Sequence, residues 1–164
     1  MEYRPIDKVC NTCAIFVFTI LNKNHRKMKK TITVNWKDNM AFEADIDGHK
    51  VMMDAVPGVG GENKGPTPKP LLMASFGGCT AMDVISIAKK MRQDIKSFEI
   101  ELTGDIGDEF PKPYNSIHLI YKFKGVDLDP EKLDKAINLS QDRYCGISAT
   151  LRKAMGITYE IEIE

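Results

Sequence analysis

From Lys30 onward the chain alternates apolar and polar residues with a period of two. "TITVNW" sets Ile32, Val34 and Trp36 on one face and the threonines and Asn35 on the other, as a half-buried strand does. Asp38-Asn39 supplies a turn, and "MAFEADI" resumes the alternation through Met40, Phe42, Ala44 and Ile46. Asp47-Gly48 is a strong hairpin signal before a third strand, "HKVMMDAV". Residues 57–70, "PGVGGENKGPTPKP", have no period and are rich in glycine and proline. They read as a loop, long for a compact domain and so a place for function or for covering a partner.

The period then changes. From Leu71 to about Gln93, "LLMASFGGCTAMDVISIAKKMRQ" predicts one helix that starts close to Pro70. It is apolar almost all round as far as Ala88 and turns basic only at "KKMR", as the C-terminal end of a helix dipole favours. A helix apolar on every side must be covered on every side, and three strands cover only one. Gly77 and Gly78 lie in its interior, where each glycine costs roughly 1 kcal/mol against alanine. Alternation returns in "SFEIELTGDI" and "SIHLIYKFKGV", two strands joined by the loop "GDEFPKPYN". Asp129-Pro130-Glu131 opens a helix with a cap and a proline in its first position, running to Arg143. "YCGISATLRKAM" is a second short helix ended by Gly156, and "ITYEIEIE" a last strand. The order β-β-β-α-β-β-α-α-β makes the fold class α+β, with a mostly antiparallel sheet.

Composition narrows the function classes. The 164 residues suffice for one domain with a real core. Basic and acidic residues balance at 23 each, so no strong basic field exists to hold nucleic acid or an anionic membrane, and neither partner is expected. Four cysteines (Cys10, Cys13, Cys79, Cys145) are too scattered for a disulfide scaffold, and a reduced, cytoplasmic setting is the expectation. The apolar run "CAIFVFTIL" at residues 13–21 is too short to span a bilayer. Met28 opens "MKKTITVNW" like a natural protein start, so residues 1–27 are expected to be an appendage and 28–164 the domain. "CNTC" lies inside that appendage and is weak as a lone C-x-x-C.

Other candidates carry less. His118 is expected to be a satisfied sheet histidine, and His25 and His49 to be exposed. Neither a phosphate-cradling loop nor a Ser-His-Asp arrangement is visible, and "GVGG" lacks the strand-to-helix context of a dinucleotide fingerprint. No cofactor and no metal site is expected; the spacing of cysteines and histidines disfavours a zinc module. The two remaining thiols stand out. Cys79 sits two to three turns into the apolar helix, and Cys145 at the start of a later one. A thiol becomes reactive where a helix N-terminus or a nearby cation stabilises its thiolate; otherwise it packs as a small apolar group.

"GPTPKPLLMASFGGCTAMDVISIAKKMRQ", followed after two strands by "VDLDPEKLDKAINLSQDRYCGISATL", resembles the OsmC/Ohr family of osmotically induced and organic-hydroperoxide-resistance proteins. The specific parts are Gly-Gly-Cys on the central helix and the downstream Tyr-Cys preceded by Leu-Ser, and the likeness covers about residues 29–164. The resemblance implies an OsmC-like antiparallel sheet wrapped around a long buried helix in an intertwined homodimer. Gly77 and Gly78 would then lie where backbones cross or a substrate meets the helix. It also implies a thiol-dependent peroxidase reducing organic hydroperoxides, with Cys79 attacking, Cys145 resolving, and a dithiol reducing the resulting disulfide. Phe76, Met73 and Met82 are candidate walls of an apolar pocket. The sequence departs from the pattern in one place: peroxidase members use an arginine from the first strands and a glutamate entering the helix. Here no arginine lies between Met28 and Cys79, and Lys69-Pro70 stand where the glutamate would fall. Glu62, Asp83, Lys69 and Arg92 are the remaining charged candidates near the thiol. The alternative implied is a non-catalytic OsmC-like binder of small apolar ligands.

Overall fold

Asp47 and Gly48 take φ angles of 53° and 85°, the left-handed pair that a tight two-residue hairpin requires. They join β2 (Ala41–Ile46) to β3 (His49–Met53), which pair antiparallel, while β1 (Thr33–Asp38) completes a three-stranded sheet on the other side of β2. The computed structural model describes residues 29–164. The expectations placed on residues 1–27, among them Cys10, Cys13 and His25, lie outside the described residues. Val34–Glu164 form one compact unit.

The glycine-rich loop is folded around one carboxylate. Asp54, 2% exposed, accepts from the backbone N–H groups of Ala55, Glu62 and Lys64 at 2.8, 2.9 and 3.0 Å. The bonds from Lys64 and Glu62 hold its carboxyl below the usual range. The long helix α1 spans Pro68–Lys90. It begins slightly before the predicted start because Pro68 and Pro70 both fall in the first turn, where no N–H is needed. Arg92, at φ 60°, turns the chain away just after it.

Behind α1 stands a second sheet, ordered β4 (Asp94–Ile106), β5 (Tyr114–Val126), β6 (Gly156–Ile163). On β5 alternate residues Ile117, Leu119, Tyr121 and Phe123 are buried, and the other face carries Lys122 between Glu99 and Glu101. β5 pairs antiparallel with β4 and parallel with β6. The parallel pair follows from the connection, which crosses through α2 (Pro130–Leu139), a wide π-type turn at Ser140–Tyr144 and α3 (Gly146–Leu151). Asp129 caps α2 as predicted, accepting from the N–H groups of Glu131 and Lys132. His118 is indeed a sheet histidine, its Nδ1 2.8 Å from Thr158 Oγ1, and His49 is exposed.

The single chain leaves the covering of α1 incomplete, as expected where three strands cover only one side. There are two three-stranded sheets, and α1 is not covered on every side. Its buried residues Phe76, Gly77, Thr80, Val84 and Ala88 form one stripe at intervals of about four, packed against β4, α2 and α3. The opposite side leaves Leu72 40% and Met82 72% exposed. The apolar face of β1–β3 is likewise open, with Val34, Trp36 and Phe42 all exposed. By length and apolarity alone α1 passes for a bilayer-spanning helix, a test that the core helix of a globular protein passes too.

Candidate functional site

Three local features bring the two thiols together. α1 carries Cys79, half-buried, one residue before Thr80 on the buried stripe. α2 delivers Ser140 to that stripe, its hydroxyl 3.0 Å from Thr80 Oγ1 and donating to Asp83 Oδ2 at 3.1 Å. The wide turn then closes with Cys145 N–H on the Ser140 carbonyl at 2.8 Å. Cys145 takes extended angles (φ −73°, ψ 100°) as the N-cap of α3, its sulfur accepting from Ser148 N–H at 3.3 Å. The sulfurs, 66 positions apart in sequence, stand 2.7 Å from each other. The pairing that the resemblance implied is thus present as geometry, with both thiols free.

The environments of the two sulfurs differ. Cys145 is 2% exposed. Burial, and then the contact with Cys79, push its thiol up to about 11. It is a neutral S–H at neutral pH and donates to Cys79 Sγ. Asp83 is half-buried, one helical turn beyond Cys79, and one of its carboxylate oxygens lies within 4.8 Å of both sulfurs.

Behind the thiols runs a buried polar chain that sequence reading did not single out. Tyr121 OH is 2.8 Å from Thr80 Oγ1 and accepts from Gln141 Nε2 at 2.8 Å. Gln141 Oε1 accepts from Ser148 Oγ at 2.6 Å and from Arg152 Nη2 at 3.4 Å, and Arg152 Nη1 also bonds Asp142 at 2.6 Å. A carboxylate only accepts and an amide NH₂ only donates. The Ser140 hydroxyl is therefore the donor facing both Thr80 Oγ1 and Asp83 Oδ2, while the Gln141 amide donates into the other end of the chain at Tyr121. No buried side-chain N or O atom among the described residues lacks a partner, so the chain locks the site's geometry without an energetic penalty for burial. Burial raises the Tyr121 hydroxyl above its ordinary range, which keeps it a donor. The one signal in the sequence was Thr80, a polar residue on an otherwise apolar stripe.

Not every candidate reaches the thiols. Phe76 is fully buried core, Met73 packs against that core, and Met82 faces outward, so the three do not make one pocket wall. Glu62 bonds Asn39 and Lys64 in its own loop, and Lys69 bonds the Lys112 carbonyl. A cleft of about 440 Å³ instead opens beside Asp83, between Ile87, Lys90, Leu139 and Tyr144. Gly77 is explained inside the chain: a Cβ there would stand 2.8 Å from Leu102 Cδ1 on β4. Gly78 faces open space.

Comparison with known proteins bears on the family and the fold. Residues 61–160 match the family described as OsmC-like protein. Protein YhfA of Escherichia coli strain K12 is 34% identical over 131 residues, covering 79% of this chain and 95% of YhfA. Among solved structures, a hypothetical protein from Aquifex aeolicus superposes with a TM-score of 0.71 at 28% identity, covering 84% of this chain and 98% of the other. An organic hydroperoxide resistance protein from Elizabethkingia anophelis gives a TM-score of 0.64 at 17% identity over 84% and 99% of the two chains, a likeness of fold alone.

Proposed function

The chain belongs to the OsmC-like family, and on that premise we propose that it reduces organic hydroperoxides with Cys79 as the attacking and Cys145 as the resolving thiol. The observation that carries the proposal is the 2.7 Å approach of two sulfurs 66 positions apart. Cys79 thiolate attacks the terminal peroxide oxygen, the O–O bond breaks, and the departing alkoxide takes a proton to leave as the alcohol. Cys79 is then a sulfenic acid. Cys145 thiol condenses with it, forming the S–S bond and releasing water. A dithiol restores both thiols by two exchanges and departs as its own disulfide. The neutral, buried Cys145 suits the second step: it does not compete for peroxide, yet touches the atom to be oxidised.

The same proposal includes an intertwined homodimer in a reduced, cytoplasmic setting. The open apolar side of α1 and the exposed face of β1–β3 support the dimer. The second reading, a binder of small apolar ligands without turnover, is favoured by one observation. Among the described residues, no basic side chain forms a hydrogen bond or ion pair with Cys79, Cys145 or Asp83, and none of them supplies the fixed cation that a peroxidatic thiolate wants. Consumption of an alkyl hydroperoxide with a dithiol present decides between them. Steady turnover that disappears in Cys79→Ser supports the peroxidase. Equal, near-zero rates in wild type and Cys79→Ser would leave ligand binding as the better account.

A further inference from the structure

Cys79 Sγ, Cys145 Sγ and a carboxylate oxygen of Asp83 all lie within 4.8 Å of one another. We propose that these three groups form a binding site for one thiophilic divalent cation of the zinc type, open only while both thiols are reduced. The inference does not need the peroxidase proposal, because it concerns what the reduced site holds.

The chemistry of the donor set points this way. Two sulfurs and one carboxylate are the ligands that zinc takes in sites that keep a fourth position for water. Deprotonating both thiols beside Asp83 gathers three negative charges in one small volume. With no basic partner on any of the three among the described residues, a divalent cation is what offsets them. This turns a weakness of the peroxide site into its converse: the carboxylate that opposes a free thiolate completes a cation site. Binding replaces the two S–H protons, which pass to solvent, by two metal–sulfur bonds, including that of the otherwise unreactive Cys145.

The surroundings are those of a built site. Ser140 donates to Asp83 Oδ2 and so fixes the carboxylate from behind, leaving the second oxygen for a ligand. Ser148 N–H points at Cys145 Sγ, a bond that strengthens when that sulfur becomes anionic. Asp83 also lines the neighbouring cleft, so the carboxylate is reached from that side. A tetrahedral ion with Zn–S of about 2.3 Å holds its sulfurs roughly 3.8 Å apart, so binding requires the pair to open from 2.7 Å. Metal and disulfide are mutually exclusive: sulfurs joined to each other have no thiolate to give. An oxidant that couples the thiols therefore expels the ion, and the ion shields both thiols from oxidation.

The test uses the full chain in a Cys10→Ser, Cys13→Ser background, so that only these two thiols remain. The reduced, metal-free protein is titrated with Cd²⁺, a spectroscopically active stand-in for Zn²⁺, following thiolate-to-metal absorbance and the metal retained per chain after desalting. One ion per chain is expected, lost in Cys79→Ser and lost again when the thiols are coupled with diamide. That last measurement needs no substitution at the site. Asp83→Asn is expected to weaken binding at least about tenfold, and Ser140→Ala, which removes only the group behind the carboxylate, by about 10- to 100-fold. A reduced protein that retains no ion, or one that binds equally well as Asp83→Asn or after diamide, overturns the proposal. None of these readings involves peroxide, so failure here and failure of the peroxidase proposal are distinguishable.

Discussion

Gly77 is where the central helix meets its own sheet: a methyl group at this position would come within 2.8 Å of Leu102 Cδ1, whereas one at Gly78 would meet nothing within 4 Å. Adjacent glycines thus answer to different constraints. Gly77→Ala sets overpacking of the Leu102 terminal methyl, which rotation of that side chain can relieve, against the helix-propensity gain, and is expected to be less stabilising than the same change at Gly78. Gly78→Ala is expected to gain up to about 1 kcal/mol through helix propensity. Urea unfolding of the two variants measures the difference. A loss at Gly78 in place of the gain would place a second backbone or a ligand against it.

Cys145 makes the alkaline limb of stability sensitive to one thiol. Its folded-state value near 11 lies above the ordinary 9.0. Above about pH 9 the unfolded chain therefore gives up this proton while the folded chain keeps it. The contribution is complete below pH 9 and is lost as the pH rises through 11. Cys145→Ala is expected to flatten that part of the stability curve relative to wild type. Coincident curves between pH 8 and 11 would contradict the assignment.

Tyr121 holds the middle of the buried polar chain, bonded to both Thr80 and Gln141. Tyr121→Phe strands a donor of Gln141 and is expected to cost about 1–3 kcal/mol. Tyr121→Phe combined with Thr80→Val is expected to cost less than the sum of the single changes, because the pair shares one interaction. Denaturant midpoints of the four proteins close the cycle; strict additivity would deny the link.

Coupling Cys79 to Cys145 would tie together residues 66 positions apart. Constraint of the unfolded chain by a loop of that length stabilises by about 4 kcal/mol in the chain-entropy reckoning. Oxidised protein is expected to melt well above reduced protein. Equal melting temperatures would mean that the native site is strained by the bond or does not form it.

Much of this was legible in the sequence, and the reason is locality. Asp47-Gly48, Asp129-Pro130 and the switch from a two-residue to a helical period are written within a few positions, so the element order could be read directly. The convergence of Cys79 and Cys145 could not: the spacing of two thiols on separate helices says nothing about distance, and only the family resemblance suggested it. Gln141 and Ser148 were invisible because each looks locally like an ordinary turn or helix residue, and Ser140 was marked only by the Leu-Ser of the family resemblance; only the fold lines them up with Tyr121. The close approach at Gly77 depended on Leu102, on a strand that comes later in the chain. The expectation that α1 is covered on every side relied on a second subunit, and the single chain covers one stripe.

The β1–β3 hairpin unit leaves Trp36 64% and Val34 50% exposed. Apolar surface held in water is cohesion that a lone molecule forgoes, and only an encounter recovers it. In the proposed homodimer, the resistance of this end of the protein to unfolding becomes a matter of how many neighbours are in solution. Dilution alone, with no change of temperature or pH, would then be enough to loosen the region that leads into the helix bearing Cys79.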